Sequence, residues 1–418
     1  MFYNIKSFDE KLYDYLQKEY KRQAEGIELI ASENYVSSNV LEAMGSILTN
    51  KYSEGYPKAR YYGGNKYIDK IEKLAIKRAK RLFKANYANV QPYSGSPANL
   101  AVHFALLKPG DTTMGMKLSA GGHLTHGNAP SFSGTLYNSV NYSVNEEGYL
   151  DYSAILTLAK KVKPKLIWFG ASAYPRVIDF KECRKIADSV DAIMAVDIAH
   201  IAGLVVTGLH PNPFPYADVV TTTTHKTLRG PRGAIILTNN EEIAKKINKA
   251  IFPGLQGGPH NHVTAAIAVA LKEANTKEFF RYSKQVISNA STLSFELMKL
   301  GWNVVTGGTD NHIILIDLTK SKIPEMTGKV ATKILEKVNI SVNKNAIPQD
   351  PRKPWDPSGI RIGTPAVTTR GMKENDMLRI ANFIDDALTN HMDRNTLYRI
   401  KEEVVEFASK FPLPTNEK

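Results

Sequence analysis

Between Tyr87 and Leu237, short apolar runs alternate with stretches of helical periodicity. That alternation restricts the fold more than any other feature of this 418-residue chain. The runs are Tyr87–Pro92, Thr112–Met116, Leu166–Gly170, Ala192–Val196, Val219–Thr223 and Ala234–Leu237. Ser96–Leu107, Tyr152–Lys163 and Phe180–Ser189 are the clearest helices between them. Strands that alternate with helices predict an α/β domain with a mostly parallel sheet flanked by helices. Ligands of such sheets sit beyond the carboxyl ends of the strands, so residues directly after each run are where chemistry is expected.

The flanks read differently. Phe8 to Ala24 forms a charged helix with Leu12, Tyr15, Leu16 and Tyr20 on one face, too short for a domain and suited to an arm that packs on something else. A second helix runs from about Lys66 to Lys84, and a long helical region from His262 to Leu300 follows the Gly/Pro-rich loop Pro253–Pro259. Beyond it, strands at Trp302–Val305, His312–Leu318, Ile340–Val342 and Ile360–Ile362 mix with a helix near Gly328–Lys337 and closing helices. This predicts an arm over 1–25, a large domain over 26–275 and a smaller C-terminal α+β domain over 276–418.

Composition narrows the class. The 54 Lys+Arg against 41 Asp+Glu leave a net charge of +13, which could attract nucleic acid, an acidic membrane surface or small polyanions. The positive residues are spread along helix faces, as at Lys73, Lys77, Arg78, Lys80 and Arg81, with no dense block of like charge. A solvated basic surface with phosphate or carboxylate ligands is the expectation, rather than nucleic-acid binding. Cys183 is the only cysteine, which excludes intrachain disulfides and favours a reducing compartment. No signal-like apolar core follows Met1, and no run of about twenty apolar residues exists, so a soluble cytoplasmic chain without a membrane anchor is expected.

Generic nucleotide motifs are absent: Lys226 is preceded by His225 rather than by the glycine of a phosphate-binding loop. His123 and His126 suggest a metal pair, but no cysteine or neighbouring carboxylate in the sequence completes it, and no metal is expected. Lys226 closes Thr221-Thr222-Thr223-Thr224-His225-Lys226, where a strand ends at the ligand edge. It reads either as an ordinary turn lysine or as an amine that forms a Schiff base with an aldehyde cofactor. Asp197, after Ala192–Val196, reads either as a helix cap or as the carboxylate that pyridoxal 5'-phosphate needs against its ring nitrogen. Tyr93-Ser94-Gly95-Ser96-Pro97-Ala98-Asn99 is either a capped turn or a phosphate cradle at a helix N-terminus, with Pro97 at a first helical position.

Taken together these segments resemble the serine hydroxymethyltransferase family over essentially the full length. The matching motifs are Glu28–Asn34, Lys51–Pro57, Arg60–Gly64, Gly121–Gly127, the Asp197 and Lys226 segments, Gly257–Pro259, Gly307–His312 and Gly359–Pro365. Tyr93 and Pro97 depart from the pattern, standing where relatives often carry His and Gln. The resemblance implies the fold-type I, aspartate-aminotransferase-like architecture and a homodimer with shared active sites, with a tetramer left open.

It further implies that residues 26–275 bind pyridoxal phosphate, held as an aldimine on Lys226 with Asp197 at the ring nitrogen and His123 over the ring face. Ser172 and His200 would contact the phenolic oxygen side; read without the family, His123 and His200 could equally be satisfied core histidines. Ser94, Gly95, Ser96 and His225 would bind the phosphate, joined by Tyr52 and Gly258 of the other subunit. Arg361, with Ser32, would clamp the substrate carboxylate, a role that suits the bidentate guanidinium. Glu54 is the implied acid/base, beside Tyr52 and Tyr62. The implied folate pocket takes in Leu118, Gly122, His123, Leu124, Asn345 and Lys353-Pro354-Trp355. The activity so implied is transfer of the serine hydroxymethyl carbon to tetrahydrofolate, leaving glycine. A threonine aldolase or aminotransferase of the same fold shares the lysine, aspartate and arginine logic; the Glu54, Gly121–Gly127 and Lys353–Trp355 segments argue against both.

Overall fold

The computed structural model describes residues 3–416. Its centre is a seven-stranded sheet in the order Tyr87–Asn89, Ala234–Thr238, Val219–Thr223, Ile193–Asp197, Leu166–Phe169, Thr112–Met116, Asn138–Tyr142. The last five strands of that order are mutually parallel, and Ala234–Thr238 runs antiparallel to both of its neighbours. Six of the strands match the apolar runs. The seventh, Asn138–Tyr142, is not among those runs, because an edge strand needs no apolar alternation to stay paired.

Helices cover both faces, so the inner strands are buried throughout. Ile167, Phe169, Met194 and Val196 point to one apolar layer; Leu166, Trp168, Ala195 and Val219 point to the other, as the period of two requires. Burying each large side chain of this kind contributes about 1.5–3 kcal/mol. The threonines of Val219–Thr223 sit in this core without penalty because their hydroxyls find partners: Thr221 Oγ1 donates to Asn99 Oδ1 at 2.7 Å, and Thr222 Oγ1 to the Thr223 carbonyl at 2.9 Å.

A second core is built on a four-stranded antiparallel sheet, Asn303–Val304, Ile313–Asp317, Gly359–Gly363 and Asn343–Asn345 in that order. The helical region splits at Ala274–Thr276 into Asn261–Glu273 and Lys277–Lys299. The second of these helices joins the two cores, with Phe279 in the first and Leu293 and Leu297 in the second. Ile27–Glu28 pairs in parallel with Ile340–Ser341 as a separate two-stranded sheet, and Ile27 and Leu29 join the second core.

The predicted first helix is Glu10–Glu25, capped by Asp9, which accepts from Leu12 N–H, and a short helix Tyr3–Phe8 precedes it. None of the residues of Glu10–Glu25 is buried, and Leu12 and Tyr15 are exposed. Among the described residues no helix is long and apolar enough to cross a membrane.

Candidate active site

Four strands of the large sheet end around one cavity of about 320 Å³. Lys226, Asp197, Ser172, His123, His200 and Arg361 share its walls, together with Ser32, Gly95 and His225. The sheet order explains the meeting. Leu166–Phe169, Ile193–Asp197 and Val219–Thr223 are adjacent and parallel, so the residues after each emerge side by side. Gly170 must be a glycine here: its φ is +120°, and a Cβ would stand 2.1 Å from the Asp197 carbonyl.

Lys226 Nζ donates to Thr223 Oγ1 at 3.1 Å and has no carboxylate in direct contact. Burial lowers its pKa from 10.5 to about 8; Asp197 pulls it up, while Arg361 and Arg232 push it further down. The neutral amine is therefore far more populated near neutral pH than on an ordinary lysine, as a nucleophile requires.

Burial by itself would raise the Asp197 carboxyl, but hydrogen bonds and charge from His126, with His123 and Asn99, outweigh it and hold the group well below the usual range. Its Oδ2 accepts from Asn99 Nδ2 at 2.8 Å and from His126 Nε2 at 3.2 Å, and its Oδ1 accepts from Ala199 N–H at 2.9 Å. His126 in turn stacks on Trp168 with centroids 5.2 Å apart. The structure corrects one ground of the sequence reading: a carboxylate does approach the His123/His126 pair, since those two residues and Asp197 bring ligand atoms within 4.8 Å of one another. The His126–Asp197 hydrogen bond engages His126 Nε2 and Asp197 Oδ2 within this group.

Burial, helped by neighbouring positive groups, lowers His123 to about 4, His225 to about 3, and His200 well below its ordinary value, so all three rings are neutral. His200 stacks against His312 at 5.6 Å. Arg361, 8% exposed, donates to the Ser172 carbonyl at 2.6 Å, to Asn343 Oδ1 at 3.0 Å and to Ser32 Oγ at 3.4 Å. No carboxylate among the described residues pairs with it. A buried cation whose only partners are neutral retains its full attraction for an anionic ligand.

The helix Gly95–Leu106 begins at the same cavity. Ser94 sits extended at its N-cap without a side-chain cap bond, and a Cβ on Gly95 would stand 2.8 Å from Thr223 Cγ2. Pro97 is the third helical residue rather than the first, still within the turn whose N–H groups have no helical acceptor. His225 Nδ1 is buried with no hydrogen-bond partner.

A second cavity of about 620 Å³ adjoins the first, sharing His123, Ser172 and Arg361. Leu118, Gly122, Leu124, Asn345 and Pro354 line it. Lys353 and Trp355 are not among its walls: Lys353 Nζ lies 5.1 Å over the Trp355 ring, which is exposed.

Tyr52, Glu54, Tyr62 and Gly258 are absent from both cavities and gather elsewhere on the chain. Tyr52 and Tyr62 meet edge to face at 5.1 Å, Glu54 approaches Gly257, and the Tyr52 ring lies against Gly258. The charge of Glu54 and a hydrogen bond to it raise the Tyr52 phenol. Tyr93, the departure noted above, joins this group to the phosphate turn, donating from its hydroxyl to the Gly258 carbonyl at 2.8 Å and stacking on His260 at 4.2 Å.

Sequence reasoning missed Asn99, Thr125, His126, Thr223 and Arg232 as parts of the site. Asn99 closed the quoted turn and Thr223 stood in the four-threonine run, so both were in view; what was lacking was any local sign of the residues they face.

A family model described as serine hydroxymethyltransferase matches residues 5–384. A protein named serine hydroxymethyltransferase from Desulfotalea psychrophila is 57% identical over 406 residues, covering 97% of this chain and 95% of that one. Proteins of the same name from Legionella pneumophila and a Nitratiruptor species are 56% and 57% identical, covering 98% and 97% of this chain and the same shares of their own.

Proposed function

The chain belongs to the serine hydroxymethyltransferase family, and from that premise we propose how its residues divide the work. It is a pyridoxal-phosphate-dependent transferase of one-carbon and amino-acid metabolism (EC 2.1.2.1) with the fold-type I architecture. It moves the serine hydroxymethyl carbon reversibly to tetrahydrofolate and leaves glycine. The observation that carries the assignment of roles is the cavity in which a lysine of lowered pKa, a carboxylate and an unpaired buried arginine meet.

The residues present fit the cofactor. An uncapped helix N-terminus, the close approach at Gly95 and the partnerless His225 Nδ1 suit a phosphate, with Ser94 and Ser96 adding hydroxyls. Asp197, held ionised, suits a protonated ring nitrogen. When bound, this cofactor supplies an electron sink for the bond broken at the substrate's α-carbon.

Lys226 would hold the cofactor through its amine until the serine amine takes its place, His123 would cover the ring face, and Ser172 and His200 would border the oxygen side. Arg361, with Ser32, grips the serine carboxylate at a wall shared with the adjoining cavity. That cavity takes the folate, with Leu118, Gly122, Leu124, Asn345 and Pro354 as walls; Lys353 and Trp355 adjoin Pro354 in the chain without lining it.

Glu54 moves a proton at the serine hydroxyl or the folate nitrogens, with Tyr62 beside it. Because Glu54, Tyr52, Tyr62 and Gly258 lie outside the cavity of their own chain, we assign them to the site of a second copy, in a homodimer with shared active sites. The exposed Leu12 and Tyr15 on the arm support such a partner. We divide the chain into the arm 1–25, a cofactor-binding domain 26–275 and a small domain 276–418, supported by the helix break at Ala274–Thr276. Its one cysteine suits the cytoplasm.

The deciding experiment follows glycine formation from serine with and without tetrahydrofolate. Acceleration by tetrahydrofolate is expected. Folate-independent cleavage of 3-hydroxy amino acids as the main activity would instead mark a threonine aldolase.

A further inference from the structure

The helix that opens at the phosphate turn carries one side chain that none of these roles uses. Asn99 is 1% exposed, and its polar atoms are all engaged. Its Nδ2 donates to Asp197 Oδ2 and to Thr125 Oγ1, both at 2.8 Å, while its Oδ1 accepts from Thr221 Oγ1 at 2.7 Å. This set orients the amide, because a carboxylate only accepts and must face the NH₂ end.

The consequence passes to Thr125. Thr125 N–H donates to His123 Nδ1 at 3.3 Å, which makes that nitrogen an acceptor, so the Thr125 hydroxyl, accepting from Asn99, gives its own hydrogen to the same nitrogen at 2.7 Å. His123 Nδ1 is therefore an acceptor, and the proton of the neutral ring lies on Nε2. The same carboxylate sets His126, whose Nε2 donates to Asp197 while its Nδ1 accepts from His123 N–H at 3.4 Å.

We propose that Asn99 is a positioning residue that holds the Asp197 carboxylate and the Nε2–H form of His123 in one frame. The group at the cofactor's ring nitrogen and the group over its face then cannot shift independently. The proposal rests on the cofactor roles assigned above to Asp197 and His123. Burial keeps the His123 ring neutral, so a tautomer, and not a charge, is what Asn99 selects.

The test uses apoenzyme with nitrogen-15 histidine, with the His123 signals assigned by comparison with His123→Asn, and then cofactor titration. The wild type is expected to show His123 Nδ1 unprotonated. Asn99→Ala is expected to mix the two tautomers and weaken pyridoxal phosphate binding about tenfold or more, since a hydrogen bond to a charged group is lost. Thr125→Val breaks only the His123 branch, so it should mix the tautomers while cofactor affinity stays within about threefold.

An Asn99→Ala protein with unaltered His123 signals and affinity overturns the proposal. If that variant fails to fold, unaltered His123 signals in Thr125→Val overturn it. Asp197→Asn separates the two levels. Weakened affinity there, without loss in Asn99→Ala, overturns the role of Asn99 alone. Unchanged affinity in both overturns the role given to Asp197, and the proposal with it.

Discussion

Replacing Arg361 with lysine keeps a positive charge and removes a fork. The guanidinium already spends Nε on Asn343, Nη1 on Ser172 and Nη2 on Ser32, contacts that hold its plane in one orientation inside the cavity. In the role proposed for it, a substrate carboxylate would meet that plane through two parallel donors; an ammonium on a flexible stem offers a single point. One charge-assisted hydrogen bond is lost, about 1.5–3 kcal/mol, so kcat/KM for serine should fall about ten- to a hundredfold, mostly through KM. Cofactor binding should survive, since Arg361 lies outside the phosphate turn. The deficit should also widen as pH rises: a buried ammonium without an acidic partner gives up its proton, whereas burial brings the guanidinium down only to about 10. The assay is steady-state serine cleavage at saturating tetrahydrofolate across a pH series, with the cofactor's absorbance as the control. A kcat/KM within about twofold of wild type, at unchanged cofactor loading, would refute the reasoning and place the carboxylate clamp elsewhere.

Three further outcomes are expected. Capture of pyridoxal phosphate by apoenzyme should quicken as Lys226 loses its proton and level off above about 8; stopped-flow absorbance that keeps rising toward 10.5 would contradict the buried-lysine account. Burial, with Glu33 beside it, raises Glu28 from 4.5 to about 8, so its protonated form favours the fold. That stability is fully present below 4.5 and is lost as pH rises through about 8, so Glu28→Gln should gain in melting temperature over wild type as pH rises, and a pH-independent offset would count against it. Finally, mixing Lys226→Ala with Tyr52→Ala under subunit exchange should restore activity that neither variant has alone, through hybrids with one intact site. No recovery from hybrids verified by mass spectrometry would count against sharing.

The sequence by itself determined the strand and helix alternation and the placing of Lys226 and Asp197 at or just past strand ends. Those features are local: apolar period, turn residues and charge placement are set within a few positions of each other, and burial on both faces makes the inner strands legible as continuous apolar runs. The edge strand Asn138–Tyr142 escaped because pairing on one side leaves no such mark. What only the tertiary structure decided is who meets whom. Asn99 reaches Asp197 across 98 positions and Thr221 across 122, and His126 reaches Asp197 across 71, because the sheet order brings the ends of distant strands together. The same order leaves Glu54 and Tyr52 outside the cavity of their own chain, although the motifs had grouped them with the lysine segment. Hydrogen-bond partners and desolvation are properties of that arrangement, so neither the neutral His123 nor the lowered pKa of Lys226 could be read from residue types.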